Sequence, residues 1–420
     1  MRVLLLNPNF SMPFIWDELG TMDVRATIVH PPNQRVPGDV PFPHDDLALD
    51  LRSDPEAALH VLEELHRRER YDVVFTASEP VVVFCAQLAK SLGLRGIEPR
   101  TAVLARDKAL MRAAFREAGL NTPAMTLEVD ADGTLPPHMR FPVVAKPLSG
   151  FASQGVVRAN DEAELRAALA VIGEVNRDFL DKMTDAKVGC VSGVLVEEYI
   201  DGKEYAVDCF VQDGKVYVMC TCEKPDLVGP YFEERSYISP ARLSGETMRR
   251  MLAETAAGTL ALGIVDGVSH VELRVRDGVP YLIEIGARIG GTGLGQYFTQ
   301  STTGVHFVKL VMDNLGGGAD VSGLPFAPTP HGAAAAYLVQ VGSGGTLAEI
   351  EGLDVVRRHP DVVHVAQFLA PGAYVPAVPK FNFYPGFVVS RHRTVEEAYA
   401  FHDWLDRTVR IRYEDAAQPV

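Results

Sequence analysis

Residues 270–291 read HVELRVRDGVPYLIEIGARIGG and show the pattern of a β-hairpin. Val271, Leu273 and Val275 alternate with polar residues, which is the period of a strand with one buried face. Asp277-Gly278 is a hairpin turn signal, and a second strand-like run follows it.

Two glutamates of this hairpin, Glu272 and Glu284, lie on neighbouring predicted strands. Mg²⁺ takes one or two carboxylates and keeps its other positions for water and phosphate oxygens, so such a pair can join a protein to a nucleotide. The two share a face only if they lie opposite each other, which requires an odd loop such as residues 277–279; a plain two-residue turn would separate them. The alternative is two solvated glutamates on an exposed sheet.

Composition sets the broad class. The chain has 420 residues, of which 47% are hydrophobic and 23% charged, as expected for two or three domains of a soluble globular protein. Its net charge of -15 argues against a broad nucleic-acid surface, because phosphate backbones require clustered Lys and Arg. A local cationic pocket for a small anion stays open.

The amino terminus, MRVLLLNPNF, has too short an apolar run for a signal peptide or a membrane span. It reads as a first buried strand, so we expect a cytoplasmic protein without membrane partners. The five cysteines, at positions 85, 190, 209, 220 and 222, form no CxxC spacing. Small buried hydrophobes are favoured over disulfide or metal chemistry for Cys220-x-Cys222.

Four regions follow along the chain. Residues 1–104 combine short apolar runs with an amphipathic helix, which predicts a small parallel α/β domain, and no GxGxxG follows the first strand. Residues 105–314 form a central domain with a subdomain at about 122–200. Residues 315–332 are rich in glycine and proline and read as a linker. Residues 333–420 form a carboxyl-terminal α+β region.

Two lysines and a small-residue loop mark the central domain. A helix predicted over residues 105–121 carries Lys108 in its first turn, where a lysine opposes the helix dipole and is either solvated or recruited by an anion. A strand ends at Lys146, and residues 147–155 follow as a loop. Glycines and small residues let a backbone approach phosphate oxygens, although such loops are common. The loop residues considered for phosphate binding are Ser149, Gly150, Ser153, Gln154 and Gly155.

Further charged residues follow in the central domain. Residues 194–200 read VLVEEYI and precede a hairpin with Glu204 at its start. Residues 223–243 are irregular and charged, and include Lys224 and Arg235.

Taken in order, these motifs resemble the ATP-grasp superfamily over roughly residues 100–312. The resemblance implies a mixed α/β (α+β) protein of ATP-grasp fold, in which two antiparallel sheets hold ATP. It places Lys108 and Lys146 on the phosphates as point charges, with the loop 149–155 folding over them to exclude water.

The resemblance also assigns the remaining nucleotide contacts. Glu197, Glu198, Tyr199 and Ile200 would form the hinge that reads adenine, with Glu197 near the exocyclic amine, and Glu204 would accept from the ribose hydroxyls. An ordinary exposed strand is the alternative.

Arg288 would sit beside the γ-phosphate and the developing oxyanion as the catalytic residue; a surface ion pair is the alternative. Glu272 and Glu284 would hold Mg²⁺, expected as two ions that Mn²⁺ can replace. The superfamily usually shows Glu-x-Asn at this point, whereas this chain has Gly286, so water or substrate would take the third position.

Within the superfamily, the run Glu-Ile-Gly-Ala-Arg-x-Gly-Gly and the tail of about ninety residues resemble the L-amino-acid ligases. This implies an ATP-dependent carboxylate–amine ligase that forms a dipeptide or dipeptide-like amide through an acyl phosphate, with release of ADP and phosphate. Such enzymes also serve peptide natural-product biosynthesis. The expected partners are a small carboxylate and an amino-acid amine, and relatives are frequently homodimers.

Candidate substrate contacts lie near the acidic pair. His270 shares a strand face with Glu272, and Gly290, Gly291 and Thr292 follow Arg288. Lys224 and Arg235 lie where related enzymes place further phosphate or carboxylate contacts. A structural histidine and solvated cations are the alternatives.

Two other functions stay open. One is an ATP-grasp enzyme with a thiol or bicarbonate acceptor, although no biotin-carrier module is visible. The other is a catalytically silent nucleotide-binding module, against which the presence of Glu272, Glu284 and Arg288 argues.

Overall fold

The computed structural model describes residues 1–414 except 11, 128, 130–132, 179–192, 226, 228, 379 and 381–383. At residue 292 it describes the backbone but not the side chain. The strands, in chain order, are β1 (Arg2–Leu6), β2 (Arg25–His30), β3 (His44–Ala48), β4 (Val73–Phe75), β5 (Met125–Thr126), β6 (Val143–Pro147), β7 (Val157–Ala159), β8 (Val194–Glu198), β9 (Lys203–Gln212), β10 (Lys215–Lys224), β11 (Ser236–Ser239), β12 (Gly267–Arg276), β13 (Val279–Gly286), β14 (Ala333–Leu338), β15 (Gly345–Glu351), β16 (Val362–Gln367), β17 (Tyr374–Val375), β18 (Gly386–His392) and β19 (Arg410–Tyr413). The helices are α1 (Phe14–Gly20), α2 (Pro55–Glu69), α3 (Val82–Ser91), α4 (Pro99–Arg106), α5 (Lys108–Glu117), α6 (Glu162–Asp178), α7 (Gly245–Ala261), α8 (Leu294–Thr303), α9 (Phe307–Leu315), α10 (Leu353–Val356) and α11 (Val395–Thr408).

The amino-terminal sheet is parallel, with strand order β3-β2-β1-β4. Residues 3–6 of β1 are all buried, because a parallel strand is covered on both faces. The small parallel α/β fold predicted for this part of the chain is confirmed. Its carboxyl strand ends are where open parallel sheets present ligand-binding residues.

The predicted single helix over residues 105–121 is wrong, because Asp107 divides it. The backbone of Asp107 is extended, at φ -98° and ψ 108°, and its carboxylate accepts from the amides of Ala109 and Leu110. A side chain that caps two amide groups begins a new helix. Lys108 is therefore the first residue of α5.

The second sheet has strand order β5-β8-β6-β7 and is antiparallel. Helix α6 covers one face of it through Leu165, Ala168 and Ile172. We call these strands and α6 the lid.

The largest sheet has eight strands in the order β13-β12-β9-β10-β11-β14-β18-β16. Strand β11 lies within residues 223–243, which the charged composition predicts as irregular. Strands on both sides of residues 315–332 pair in this one sheet through β11 and β14. The third antiparallel sheet, β17-β15-β19, lies in the carboxyl-terminal region.

The β12–β13 hairpin sets Glu272 opposite Glu284, as predicted, but the predicted odd loop is wrong. Arg276 pairs with Val279, so the turn has two residues, Asp277 and Gly278, both at positive φ, as a tight hairpin turn requires. Leu273 pairs with Leu282, which leaves Ile283 as an extra residue in a β-bulge. One extra residue restores the shared face.

The cysteines are free at 85, 209, 220 and 222, and the last three are buried. This confirms the small-hydrophobe interpretation of Cys220 and Cys222; Cys190 lies outside the described residues. Across the described part of the chain, the structure contains no helix with the length and apolar character needed to span a membrane.

Candidate active site

A cavity of about 680 Å³ lies between the lid, the eight-stranded sheet and the carboxyl ends of β1 and β4. Most of the predicted site residues line it, from three separate parts of the fold. These are Lys108, Lys146, Gly150, Ser153, Gln154, Glu197, Glu198, Tyr199, Ile200, Glu204, His270, Glu272, Glu284, Arg288 and Gly291.

Five predicted residues do not line the cavity: Ser149, Gly155, Lys224, Arg235 and Gly290. Arg235 instead forms an ion pair with Asp406 on α11. The side chain of Thr292 lies outside the described residues.

Lys146 and Glu197 form a buried ion pair inside the lid. Their strands, β6 and β8, are neighbours, and Arg112 of α5 donates to the same carboxylate at 3.0 Å. Burial alone would raise the pKa of Glu197, but Arg112 and Lys146 outweigh it and lower that pKa. The Glu197 carboxylate therefore fixes Lys146 at the cavity wall, whereas its predicted contact with an adenine amine stays a prediction.

Arg112 also donates to the carbonyl of Ile283, the extra residue of the bulge. A bulge leaves a strand residue outside the regular ladder, and this guanidinium supplies a donor for its carbonyl. One buried arginine, which the sequence analysis missed, thus links the acidic hairpin to the Lys146–Glu197 pair.

The loop 149–155 closes the cavity with an unusual backbone. Ala152 and Ser153 have φ of 52° and 54°, and Gly155 has φ of 71°. Gln154 is 3% exposed, and its side-chain oxygen has no hydrogen-bond partner among the described residues. Buried polar atoms are normally hydrogen-bonded, so this oxygen is a candidate ligand contact.

Lys108 connects this loop to the acidic hairpin. Its ammonium group donates to the carbonyl of Gly150 at 2.7 Å and to Glu284 at 3.1 Å. Ser149 contributes through its carbonyl, which accepts from Arg106 at 2.6 Å. The loop is therefore attached to α4 and α5 by two cations.

Glu272, the partner of Glu284, lies among cationic groups. Lys224 donates to it at 2.5 Å, and Nε2 of His270 lies 3.6 Å from it. Burial raises the pKa of a carboxyl group, but the charges of Lys224 and His270 hold the pKa of Glu272 well below its usual value.

His270 lies between two carboxylates, since its Nδ1 is 3.3 Å from Asp208. Burial lowers the pKa of the imidazole, but Asp208 and Glu272 outweigh it and raise the pKa to about 9. His270 is therefore a cation at neutral pH. Asp208 was not among the predicted site residues, because it meets His270 only through the pairing of β9 with β12.

The glycines after Arg288 allow close packing around this histidine. A Cβ at Gly290 would lie 2.2 Å from His270 Nδ1, and one at Gly295 would lie 2.7 Å from Asp208. The amide of Gly290 donates to Asp208 at 2.8 Å. Gly290 thus shapes the site through its backbone rather than by lining the cavity.

Lys224 is a buried centre of charge. It pairs with Glu204 at 3.2 Å, Glu234 at 2.8 Å and Glu272 at 2.5 Å. Burial alone would lower the pKa of the ammonium group, but these carboxylates raise it well above its usual value. Lys224 therefore links Glu204, the predicted ribose contact, to Glu272, a predicted metal ligand.

The hinge between the lid and β9 is held by Arg274. Its guanidinium donates to the carbonyls of Gly202 at 2.6 Å and Leu227 at 3.1 Å, and lies 3.4 Å from Glu204. It also lies 5.2 Å from the centre of the Tyr199 ring, close enough for a cation–π interaction.

Arg288 forms an ion pair with Glu79, which follows β4 of the amino-terminal sheet. Arg106 pairs with the same carboxylate at 3.1 Å. Burial would raise the pKa of Glu79, but Arg288 and Arg106 lower it. Glu79 was not among the predicted site residues, although its place at a parallel strand end is a signal that could have identified it.

The donor set of Glu272 and Glu284 fits Mg²⁺. Both carboxylates line the cavity at one register position, and hard oxygen ligands of this number leave the other positions for phosphate and water. In the described part of the chain, no group of three or more Asp, Glu, His or Cys could hold a metal by itself.

Models of three known families match successive parts of the chain. They are an ATP-grasp N-terminal domain over residues 20–96, an ATP-grasp domain over residues 139–296 and L-amino acid ligase C-terminal domain 2 over residues 338–414. The middle match contains Lys146, Glu197, both hairpin glutamates and Arg288.

Known proteins extend the similarity. Alanine–anticapsin ligase of Bacillus subtilis is 26% identical over 58% of this chain and 54% of its own length. Carnosine synthase 1 of Homo sapiens is 27% identical over 67% of this chain and 35% of its own length. The chain thus spans about half the length, or less, of these curated relatives.

A crystal structure of an L-amino acid ligase from Bacillus licheniformis is similar over the whole chain. It is 32% identical, with a TM-score of 0.86, and the match covers 99% of both chains. The chain belongs to the L-amino acid ligase family of ATP-grasp proteins.

Proposed function

We propose that the protein is an ATP-dependent carboxylate–amine ligase that forms a dipeptide or dipeptide-like amide and releases ADP and phosphate. The observation that carries the proposal is the pair Glu272 and Glu284, side by side on a cavity that also receives Lys108, Lys146 and Arg288. The names of the relatives, L-amino acid ligase and alanine–anticapsin ligase, describe ligation of amino acids.

ATP would bind between the lid and the eight-stranded sheet. Lys146 and Lys108 supply positive charge for the phosphates, and Gln154 and the loop amides supply polar contacts. The amide of Tyr199 already donates to Pro142, so the adenine would meet the Tyr199 carbonyl and the backbone of Ile200. Glu204, held by Lys224 and Arg274, would accept from the ribose.

Glu272 and Glu284 would hold Mg²⁺, as two ions that Mn²⁺ can replace. When bound, the metal neutralises phosphate charge and fixes the phosphate oxygens in place. Lys224 and His270 orient Glu272, and Lys108 orients Glu284, so each carboxylate is directed before the nucleotide arrives.

The reaction would run in two steps. A carboxylate oxygen of the first substrate attacks the γ-phosphorus, the bond to the β-phosphate oxygen breaks, and ADP leaves. The amine of the second substrate then attacks the carbonyl carbon of this acyl phosphate, loses a proton and expels phosphate. Phosphate is a far better leaving group than hydroxide, which makes amide formation favourable.

Arg288 would stabilise the negative charge that develops in both steps. Glu79 and the cavity fix its guanidinium, and a fixed set of donors is most effective where charge appears in the transition state. The loop 149–155 would close over the phosphates and exclude water, which would otherwise hydrolyse the acyl phosphate.

The test is phosphate release from ATP across pairs of amino acids, with products identified by mass. Release that requires both a carboxylate and an amine supports the ligase. Release with thiols or bicarbonate instead would support a different acceptor, and ATP binding without turnover in any mixture would support a silent nucleotide-binding module. The predicted homodimer is a separate proposal, which light scattering of the same preparation tests.

A further inference from the structure

The cavity has apolar surface at two places, each formed by a different hydrophobic cluster. One place lies at the hinge, where Val144, Tyr199 and Phe232 belong to a small cluster beside the proposed adenine contacts. The other belongs to the largest hydrophobic cluster, which is formed mainly by the carboxyl-terminal region. The nucleotide accounts for the first place, and the second has no role in the scheme so far.

We call this second surface the apolar wall; it consists of Leu294, Leu338, Phe368, Tyr384 and Phe387. Its rings are packed together, with 5.1 Å between the centres of Phe368 and Phe387 and 5.9 Å between those of Tyr384 and Phe387. Leu294 and Leu338 are 2% and 1% exposed and belong to the largest hydrophobic core. Leu294, Leu338 and Tyr384 therefore belong to the core, and Phe368 and Phe387 are partly buried side chains that pack against it.

The apolar wall adjoins the proposed reaction centre. The hydroxyl oxygen of Tyr384 accepts from the amide of Glu234 at 2.8 Å. The carboxylate of Glu234 shares the ammonium group of Lys224 with Glu272. Leu294 begins α8, three residues after Gly291. A substrate bound next to the metal carboxylates would therefore meet the wall with its side chain.

We propose that the apolar wall is the side-chain subsite for one of the two amino acids, and that it selects an apolar side chain of leucine size or larger over glycine, alanine and acidic residues. This inference rests on the proposed function and names a substrate class for it. In a pocket lined by apolar side chains, each additional methylene group of the substrate makes the binding free energy more favourable. Glu234 at its edge opposes a second carboxylate, since like charges at close range repel.

The size of the preference follows from pocket chemistry. A single methylene group in a hydrophobic pocket changes kcat/KM by about 10–200-fold. Leucine adds several carbons to alanine, so we expect kcat/KM for leucine to exceed that for alanine by at least about tenfold. Aspartate should be poorer than alanine.

The test measures kcat/KM for glycine, alanine, leucine, phenylalanine and aspartate in the protein and in Phe387→Ala. Phe387 is partly buried and packs against the core, so thermal unfolding of the variant is measured alongside, and Phe368→Ala is a second variant of the same wall. We expect the leucine-to-alanine ratio of kcat/KM to fall at least about tenfold in both variants. The matched control is Phe326→Ala, a phenylalanine 48% exposed and outside the cavity, for which the ratio should stay unchanged.

Two results would overturn the subsite: a leucine-to-alanine ratio near one in the unmodified protein, or wall variants that reduce turnover equally for every amino acid. Products formed from two different amino acids, sequenced by mass spectrometry, show whether the selected residue enters as carboxylate or as amine.

Calorimetric titration of leucine and alanine into the protein with ADP and Mg²⁺ measures the subsite without turnover. Leucine binding that Phe387→Ala weakens, in a protein that forms no amide, would contradict the proposed function and retain the subsite. Equal binding of leucine and alanine by a protein that does form the amide would contradict the subsite and retain the proposed function.

Discussion

At the scale of single residues, the site consists of cations and carboxylates that hold each other in place. Arg288 is paired with Glu79, Lys146 with Glu197, and Lys108 with Glu284. Removal of one partner of a buried pair leaves the other charge uncompensated, at a cost of about 3–5 kcal/mol. Substitutions in these ion pairs therefore need readouts that separate function from folding.

Arg288→Ala should lower kcat by about 100-fold or more, because it removes donors from the developing charge. Nucleotide affinity should change little, since Lys146 and Lys108 remain. Steady-state phosphate release and a direct ATP-binding titration make the comparison. Arg249→Ala, a substitution of an exposed arginine on α7, is the control that should behave as the unmodified protein. An Arg288→Ala protein with normal turnover would remove this residue from the mechanism.

Glu284→Gln should raise the Mg²⁺ concentration required for half-maximal turnover by about 10–100-fold. The amide lacks the charge of the carboxylate, and changes around a metal ligand set typically cost that much affinity. A Mg²⁺ titration of ATP turnover measures the effect, with Glu246→Gln on the exposed face of α7 as the control. An unchanged titration curve would count against Glu284 as a metal ligand.

At the scale of elements, the hairpin shows what the sequence could and could not predict. The alternation of Val271, Leu273 and Val275 predicts β12, and the strand-like run after the turn predicts β13. The requirement for a shared face predicts that Glu272 lies opposite Glu284. The predicted place of the extra residue, in the turn, is wrong. Asp277-Gly278 forms a two-residue turn, and the extra residue is Ile283 in a β-bulge, whose carbonyl accepts from Arg112. That arginine lies on a helix far away in sequence, so no local pattern reveals it.

The same reason explains the other missed contacts. Local pattern draws attention to Lys108 and Lys146, and the resemblance to the ATP-grasp superfamily supplies their roles and that of Glu204. Glu79 and Asp208 enter the site only through tertiary packing of the amino-terminal sheet and β9. Local sequence patterns could not predict the ion pairs of Glu197 either, because these pairs form only when β8, β6 and α5 pack together.

The hinge between β8 and β9 depends on Gly202. Its φ is +135°, and a Cβ there would lie 2.1 Å from the carbonyl oxygen of Val275. Gly202→Ala should destabilise the fold by more than the 1–3 kcal/mol typical of a strained backbone position, and it should raise the KM for ATP because Glu204 and Arg274 are displaced.

Gly214→Ala is the matched control, since Gly214 has φ of +72° but no atom within 4 Å of its Cβ position. Thermal unfolding and KM for ATP compare the two. Equal loss of stability in both variants would show that the contact with Val275 contributes nothing.

At the scale of the whole molecule, the site exists only because distant parts of the chain meet. The amino-terminal sheet contributes Glu79, the lid contributes Lys146, and the eight-stranded sheet contributes the acidic pair. The carboxyl-terminal region extends that sheet and supplies the apolar wall except for Leu294 of α8. Folding stability therefore affects every part of the site together.

His402 should make this stability depend on pH. Burial, with smaller contributions from His392 and Arg235, lowers its pKa from 6.5 to about 3. Between these values the unfolded chain binds a proton that the folded chain excludes, so stability falls as the pH decreases below about 6.5, by up to about 1.4 kcal/mol per pH unit. Urea unfolding at several pH values measures the slope.

His402→Gln should reduce this acid slope by about the contribution of one proton. His60→Gln, which changes an imidazole 69% exposed on α2, should leave it unaltered. A slope that is the same in the His402→Gln and unmodified proteins would show that the buried histidine is not responsible.

The central claim is that the substrate carboxylate is phosphorylated before the amine attacks. Turnover of an amino acid labelled with ¹⁸O in both carboxylate oxygens tests it directly, because one labelled oxygen should leave with the released phosphate and the other should stay in the amide. Released phosphate without label, formed along with the amide, would contradict the account.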